Sequence, residues 1–591
     1  MFLRCTRRVK DGKSHEYWNV VENRRLSDGR VVQRQVLYLG EINASQREAW
    51  RKTIELNDEG SRRQVALFPA GSMPADDVDA LGVRLSELRL EHPRQWGACW
   101  LSMELWQQLD LDRFWGPRLR PSREGTPWLS VLKTLVAYRL IDPGSEWKLH
   151  RHWFDASAMA DVLGADFALA EKNTLYRCLD RLVPHKDELF KFLCRRWGEL
   201  FGAKFDVLLY DLTSTYFESD VQRGQDDLRQ YGYSRDKRGD CRQVVIALIV
   251  TPEGFPLSYE VMSGNTADST TLSDFLDRIE QRYGHANRIW VMDRGVPTEE
   301  SLAKMRTIGA SYLVGTPKGR LSKLEAGFLT QPWAKVREGV QVKRLPLDTD
   351  IYVLAQSDAR IGKERGMRRK RLRRYVSRLQ ALKSQILTRD QLLMKLGAAK
   401  RDAGRAANLV TLFVPKDSVT TASLEFKLDR AKLRQVRRRE GRYLLRTNLA
   451  DQAPDRLWSF YIQLTEVEQA FKELKHDLAV RPIFHHSEER IEAHIFVAFL
   501  AYCLQVTLKA KLRPIAAGIT PREVLAKFKT MQMVDVCIPT TDGRELVLPR
   551  YTQPEAEHRM LLEQLKLTLP EQPPPRITAK EVRTAATVAA L

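Results

Sequence analysis

The alternation of apolar and polar positions divides the 591-residue chain into stretches of different period. Two extended runs, Glu16–Val21 and Val31–Leu39, flank the turn signal Ser27-Asp28-Gly29 and predict a hairpin, with a polar helix from about Ser45. From about Asp76 to Phe201 apolar residues recur three and four apart, which predicts a helical module. Trp128, Leu129, Val131, Leu132, Leu135 and Val136 show the pattern, as do Leu175, Cys178, Leu179 and Leu182. Pro143-Gly144 and Pro184 punctuate it.

From Phe205 the period changes to that of strands. Phe205–Asp211 is a short apolar run ending in a carboxylate, and Val244–Val250 is almost wholly aliphatic, as expected of a strand buried on both faces. Pro252-Glu253-Gly254 turns the chain into Phe255–Met262, so these two strands are expected to pair as a hairpin. A helix over Thr271–Arg282, a strand Arg288–Met292 ending at Asp293, a helix Glu299–Ile308 and a strand Ser311–Gly315 come next. This is the element order of an RNase H-like α/β core, a mixed five-stranded sheet flanked by helices.

A long interruption, roughly residues 316–442, mixes strands (Ile351–Leu354, Leu409–Phe413, Ser423–Lys427) with an arginine-rich helix. Seven cations from Arg365 to Arg374, among them Arg368, Arg369 and Lys370, lie within ten residues. Leu372, Val376, Leu379, Leu382 and Ile386 continue the helix as an amphipathic stripe. A solvated helix face explains some of this charge, but its density favours phosphate contact. The expected organisation is a hairpin and helix module (1–75), a helical region (76–204), the first part of the RNase H-like core (205–315), an insertion (316–442), the closing helices (443–512) and a C-terminal region (513–591) with a mobile tail after Pro570.

Charge narrows the class of partner. Lysine and arginine outnumber the acids by 96 to 75, a net +21, which points to a polyanion because each cation set against a phosphate releases condensed counterions. The seven cysteines are scattered and never spaced as CxxC, which speaks against a disulfide framework or a zinc finger. Met1–Lys10 carries four cations with no apolar core behind it, and the apolar run Ile495–Leu508 contains Gln505 and reads as a buried helix. No signal peptide, no membrane span and a cytoplasmic protein are therefore expected.

The candidate chemistry lies in three carboxylates. Cleavage of a phosphodiester without a covalent intermediate needs an activated water or hydroxyl and a stabilised leaving oxygen, and two divalent ions held by shared carboxylates supply both. Mg²⁺ takes oxygen ligands and keeps several waters, so two or three acids suffice. Asp211 is surrounded in sequence by Thr213, Ser214 and Thr215, and Asp293 is followed by Arg294 and Gly295. Alone, an aspartate after an apolar run is more often a turn or cap residue. In the third element Tyr461, Glu468 and Lys475 are seven apart, one stripe on a continuous helix, beside the apolar face of Leu464, Val467, Phe471 and Leu474. His485, His486 and His494 are read as packing or DNA contacts rather than metal ligands, and the loop Tyr231–Arg238 as a surface loop or a DNA contact.

These segments resemble the bacterial insertion-sequence transposases of the DDE type, in the insertion-sequence-four superfamily marked by a Tyr-(2)-Arg-(3)-Glu-(6)-Lys signature. Tyr461, Glu468 and Lys475 match three of its four positions, and Leu464 stands where the arginine does. Leu445-Arg446-Thr447-Asn448, Arg481-Pro482-Ile483-Phe484-His485 and His494 make the resemblance closest to the sixteen-thirty-four group, over about residues 205–510. It implies Asp211, Asp293 and Glu468 as ligands of two Mg²⁺ ions, for which Mn²⁺ can substitute. It implies Tyr461 and Lys475 at the transposon end, with Arg481 or Arg490 in place of the missing arginine. It further implies binding of terminal inverted repeats and target DNA, a homodimer that synapses two ends, and cut-and-paste transposition. An RNase H-like nuclease without strand transfer and a non-catalytic transposase-derived DNA-binding protein are the alternative readings.

Overall fold

The computed structural model describes residues 2–10, 13–25, 31–48, 50–51, 82–218, 227–236, 238–283, 288–293, 295–316, 318–414, 424–516, 518–541 and 543–579. They fall into two units, Met1–Ala286 with Thr465–Leu591, and Asn287–Leu464.

The first unit opens with three antiparallel strands in spatial order β1 (Phe2–Lys10), β2 (Lys13–Arg25) and β3 (Val31–Gly40), which bury Val20, Val21, Leu37 and Leu39. The expected helical module begins instead with a strand, β4 (Arg89–Gln95). The charged and polar residues of β4 carry no helical apolar period, and its pairing partner lies more than 400 residues away. Helices α1 (Gly97–Gln108), α2 (Trp128–Ile141), α3 (Lys172–Leu179) and α4 (Lys186–Phe201) then appear as the period predicts. α2 is apolar on nearly every side, and eleven of its fourteen residues are buried.

Strands β5 (Val207–Tyr216), β6 (Gln243–Val250) and β7 (Pro256–Ser263) form antiparallel pairs, and every residue of β6 is buried. β5 does not stop at Asp211. Thr213, Ser214, Thr215 and Tyr216 fit a pleated strand and keep pairing with β6 as far as Gln243, so the carboxylate sits mid-strand opposite Leu248. Helix α5 (Asp268–Tyr283) buries Leu272, Phe275, Leu276 and Ile279 on one stripe.

The second unit contains β8 (Ile289–Met292), α6 (Glu299–Thr307), β9 (Ser311–Thr316), α7 (Lys318–Leu329), β10 (Ala334–Arg337), β11 (Val340–Leu347) and β12 (Asp350–Ser357). After the helical pair α8 (Asp358–Lys383) and α9 (Arg389–Ala403) come β13 (Val410–Phe413), β14 (Glu425–Leu428), α10 (Arg430–Arg438), β15 (Arg442–Thr447) and α11 (Pro454–Ile462). Its main sheet has the order β10-β11-β12-β15-β9-β8, parallel between β8 and β9 and antiparallel elsewhere. The protein thus has a mixed β-sheet core flanked by helices, consistent with an RNase H-like fold. α8 and α9 carry a core of their own, in which Tyr375, Leu379 and Leu382 meet Leu392, Leu396, Ala399 and Ala403 beside the β13–β14 pair.

The helix expected to carry Tyr461, Glu468 and Lys475 is not continuous. α11 ends with Gln463 as its cap, α12 runs Leu464–Lys472, and Glu473–Asp477 winds as a π-turn. Within the first unit the widened turn at Glu473–Asp477 shifts the helical phase, so Lys475 does not follow Glu468 at α-helical spacing. Helix α13 (Glu488–Leu512) is long and apolar enough to cross a membrane, but 94% of its apolar window is buried inside the protein. α14 (Pro521–Phe528), β16 (Gln532–Pro539), β17 (Arg544–Tyr551), α15 (Ala556–Leu565) and β18 (Arg576–Ala579) complete the described elements, and the sheet order is β18-β17-β16-β4. The segment after Pro570, expected to be mobile, is held as far as Ala579. Gln572 exchanges side-chain hydrogen bonds of 3.0 Å with the Tyr551 backbone, and β18 pairs with β17.

Candidate active site

Asp211 is half-buried on β5, flanked in the strand by the buried Leu212, Thr213, Ser214 and Thr215. Asp293 is exposed immediately after β8, where its backbone carbonyl accepts from Val296 N at 3.3 Å. The capping box of Thr298 and Ser301 then starts α6, which holds Asp293 in a short strand-to-helix link. Glu468 is exposed on α12, at the edge of the face that buries Leu464, Val467 and Phe471. Among the described residues neither Asp293 nor Glu468 has an ion-pair partner. Arg294 lies outside the described residues.

The cations expected at DNA are in different states. Lys475 and Arg481 both contact one acid, Asp236, with Lys475 Nζ 3.0 and 3.3 Å from its two oxygens. The side chains are 9%, 15% and 12% exposed, so two positive groups enclose one negative one at the edge of solvent. Burial pushes the Asp236 carboxyl up, but Arg481 and Lys475 outweigh it and hold it below its ordinary value. Burial pulls the Lys475 ammonium down despite Asp236. The polar aromatic loop stands out in the sequence, but the reach of its aspartate to the closing helices does not, because the pairing spans 239 residues.

Arg490 is bound bidentately by Asp180, at 2.7 and 2.9 Å. Arg368 pairs with the buried Glu440, as does Arg365 at 3.2 Å, so both brace the start of β15 rather than face solvent freely. Arg369 and Lys370 are exposed, with no ion-pair partner among the described residues. Tyr461 is half-buried, its ring 5.9 Å from Tyr443 and 6.3 Å from Trp458.

A second cluster was not legible in the sequence as a unit. Glu146, His485 and His494 are buried together, with ligand atoms within 4.8 Å of one another, and are a candidate metal-binding cluster among the described residues. His485 Nε2 lies 3.3 Å and His494 Nδ1 3.4 Å from the Glu146 oxygens. The buried Arg139 guanidinium is also present, 3.5 Å from Glu146 and 3.4 Å from His494 Nδ1, while donating to Ala479 O at 3.1 Å. A cation entering here would compete with that fixed charge for Glu146. Burial pushes the Glu146 carboxyl up, yet His485 and His494 outweigh it and hold it well below its ordinary range. Burial, reinforced by Arg139, pulls the His494 imidazole down to about 4, so it is neutral at ordinary pH. As it stands the cluster is a buried polar clamp that ties α2 to α13. His485 and His494, expected to pack or touch DNA rather than bind a metal, are buried in this candidate cluster, and their acid partner, Glu146, had no sequence signal beyond the Ser145 cap beside it.

A mixed sheet flanked by helices, with acids at strand and helix positions, is an α/β arrangement consistent with the RNase H-like class. The chain belongs to the transposase DDE-domain family: residues 206–504 match the model described as "Transposase DDE domain", a span containing Asp211, Asp293 and Glu468. Family membership assigns it a transposase-like DNA-binding and cleavage activity. A solved piggyBac transposase synaptic complex with hairpin DNA is similar over 73% of this chain and 78% of that one, at 8% identity and a TM-score of 0.32. No curated protein matches the sequence.

Proposed function

We propose that this protein is a cut-and-paste transposase of the insertion-sequence-four superfamily that binds the terminal inverted repeats of its element. In this reading Asp211, Asp293 and Glu468 hold two Mg²⁺ ions, and the enzyme cleaves and joins DNA strands as a homodimer that synapses two ends. The observation that carries the reading is the family match over residues 206–504, which includes all three acids in chain order. The exposure of Asp293 and Glu468, with no cationic partner among the described residues, supports it, since carboxylates reserved for a hard cation need open oxygens. When bound, the ions supply an activated attacking hydroxyl and a stabilised leaving oxygen.

The chain's own groups bind and orient the DNA. Lys475 and Arg481 hold a phosphate of the transposon end, and Asp236 stands in for that phosphate when DNA is absent. This reading gives Arg481 the task of the signature arginine that Leu464 cannot perform, whereas Arg490 is engaged by Asp180. Tyr461 adds a contact from α11.

The test is nicking of a labelled duplex carrying the DNA that flanks the gene, with and without Mg²⁺, by wild-type protein and by Asp293→Ala. Nicking at a terminal repeat that requires Mg²⁺ and vanishes in the variant is the expected result. Selective binding without nicking would replace the proposal with a non-catalytic DNA-binding protein. Nicking without joining in a strand-transfer assay would replace it with a nuclease.

A further inference from the structure

The insertion carries a cleft that the catalytic reading does not use. Between α8 and α9 a cavity of about 380 Å³ is lined by Met367, Lys370, Arg371, Arg374, Tyr375 and Arg378 from one helix and by Ala399, Asp402 and Ala403 from the other. The α8 positions run i, i+3, i+4, i+7, i+8 and i+11, so they form one stripe. Ala399 and Ala403 are small enough to let the facing helix leave a groove above them. Arg378 is held by Asp402, but Lys370, Arg371 and Arg374 are exposed and have no carboxylate partner among the described residues. Beneath them lies Tyr375, 2% exposed, whose hydroxyl has no hydrogen-bond partner among the described residues. A buried hydroxyl without a partner costs free energy unless an acceptor reaches it, and three unopposed cations mark that acceptor as an anion.

We infer that this cleft grips the phosphodiester backbone of duplex DNA without reading sequence. From Lys370 to Arg378 the helix rises about 12 Å, the axial length of three to four phosphates on one strand. The stripe has cations and a hydroxyl donor but no exposed aromatic ring on which a base could stack, so the chemistry suits backbone contact rather than single-strand capture. Arg369 and Arg373 project from the opposite side of α8, and Arg368 is committed to Glu440, so the basic run divides into a gripping stripe, a bracing arginine and a solvated back. The inference rests on the protein acting on DNA but not on its carboxylate chemistry.

The experiment measures binding of the full-length protein to a labelled random-sequence duplex in EDTA, over a range of salt, so that neither cleavage nor end recognition contributes. Arg371→Ala with Arg374→Ala removes two charges from the cleft, and Arg369→Ala with Arg373→Ala removes two from the back. The cleft pair is expected to flatten the slope of log K against log salt by about 1.8 and the back pair to leave it near wild type. Tyr375→Phe keeps the ring and is expected to weaken binding about 3- to 10-fold with the slope unchanged, as loss of one uncharged hydrogen bond does. Equal effects of the two pairs, or no effect of the cleft pair in protein that melts normally, would overturn the grip. Either failure leaves the Mg²⁺-dependent nicking test untouched.

Discussion

Replacing Asp236 with asparagine should tighten binding of the transposon end. In the free protein Asp236 neutralises Lys475 and Arg481 at contact distance, with side chains 9–15% exposed, and an incoming phosphate has to displace it. A unit charge about 6 Å from a phosphate is worth about 3 kcal/mol at an effective dielectric near 20. Discounting for the solvent at the rim leaves about 1–2 kcal/mol, or about 5- to 30-fold in affinity. The same change removes the partner of a largely buried lysine, so the free protein should lose about 1–3 kcal/mol of stability, which DNA restores. The assay is fluorescence anisotropy with an end duplex in EDTA, paired with thermal melting of the free and DNA-bound protein. Tighter binding together with a larger melting shift on adding DNA is expected, and Lys475→Ala should erase the gain. Unchanged or weaker binding by a folded Asp236→Asn protein would refute the reasoning and make the Asp236–Lys475–Arg481 cluster a purely structural tie.

Glu468→Gln should reduce strand cleavage by at least about 1000-fold while end binding stays within about 3-fold, read by nicking and anisotropy on one preparation. Arg446, whose side chain is 9% exposed, pairs with Asp350 and donates from Nη1 to both Glu299 oxygens at 2.7 and 2.8 Å, so Arg446→Ala should cost about 3 kcal/mol, measured by denaturant unfolding. His494 is held down to about 4 from an ordinary 6.5, so the unfolded chain binds the extra proton in that window. Stability should accordingly be intact above pH 6.5 and fall towards pH 4, by up to about 3 kcal/mol, and Glu146, also held low, adds loss in the same direction. Melting temperatures from about pH 4 to about pH 7 check this, and the slope should flatten in His494→Gln.

Elements whose identity is written in local period were legible in the sequence. The aliphatic β6, the β8–α6–β9 succession and the amphipathic α8 all fall where apolar spacing and turn residues put them. The hidden parts depend on partners distant in sequence. Nothing within Arg89–Gln95 shows that it is a strand, because its reason to be one is β16. The continuation of β5 past Asp211 lies in hydroxyl residues that serve a strand only when β6 is beside them. The break at Gln463 and the π-turn after Lys472 leave no gap in the apolar pattern, so the signature spacing survived while the straight helix it implied did not. For the candidate site the resemblance in sequence pointed to Lys475 and Arg481 as DNA contacts, but not to Asp236 holding both of them or to Glu440 holding Arg368.

The β4–β16 pairing also bears on how the chain is made. Gln95 and its partner Gln532 are separated by 437 positions, and at about 5–20 residues per second a ribosome needs roughly 20–90 s to cross that distance. For that interval the nascent protein presents an orphan edge strand, and Leu90 within it and Leu88 before it remain exposed even in the finished fold. Its protection is built in: Arg89, Glu91, His92 and Arg94 crowd the strand with charge and polarity, which discourages pairing with a neighbouring chain. Arg94, which also pairs with Asp161, can close on Asp535 only once β16 has emerged, so this sheet of the first unit is completed late in synthesis by a strand made long after the one it covers.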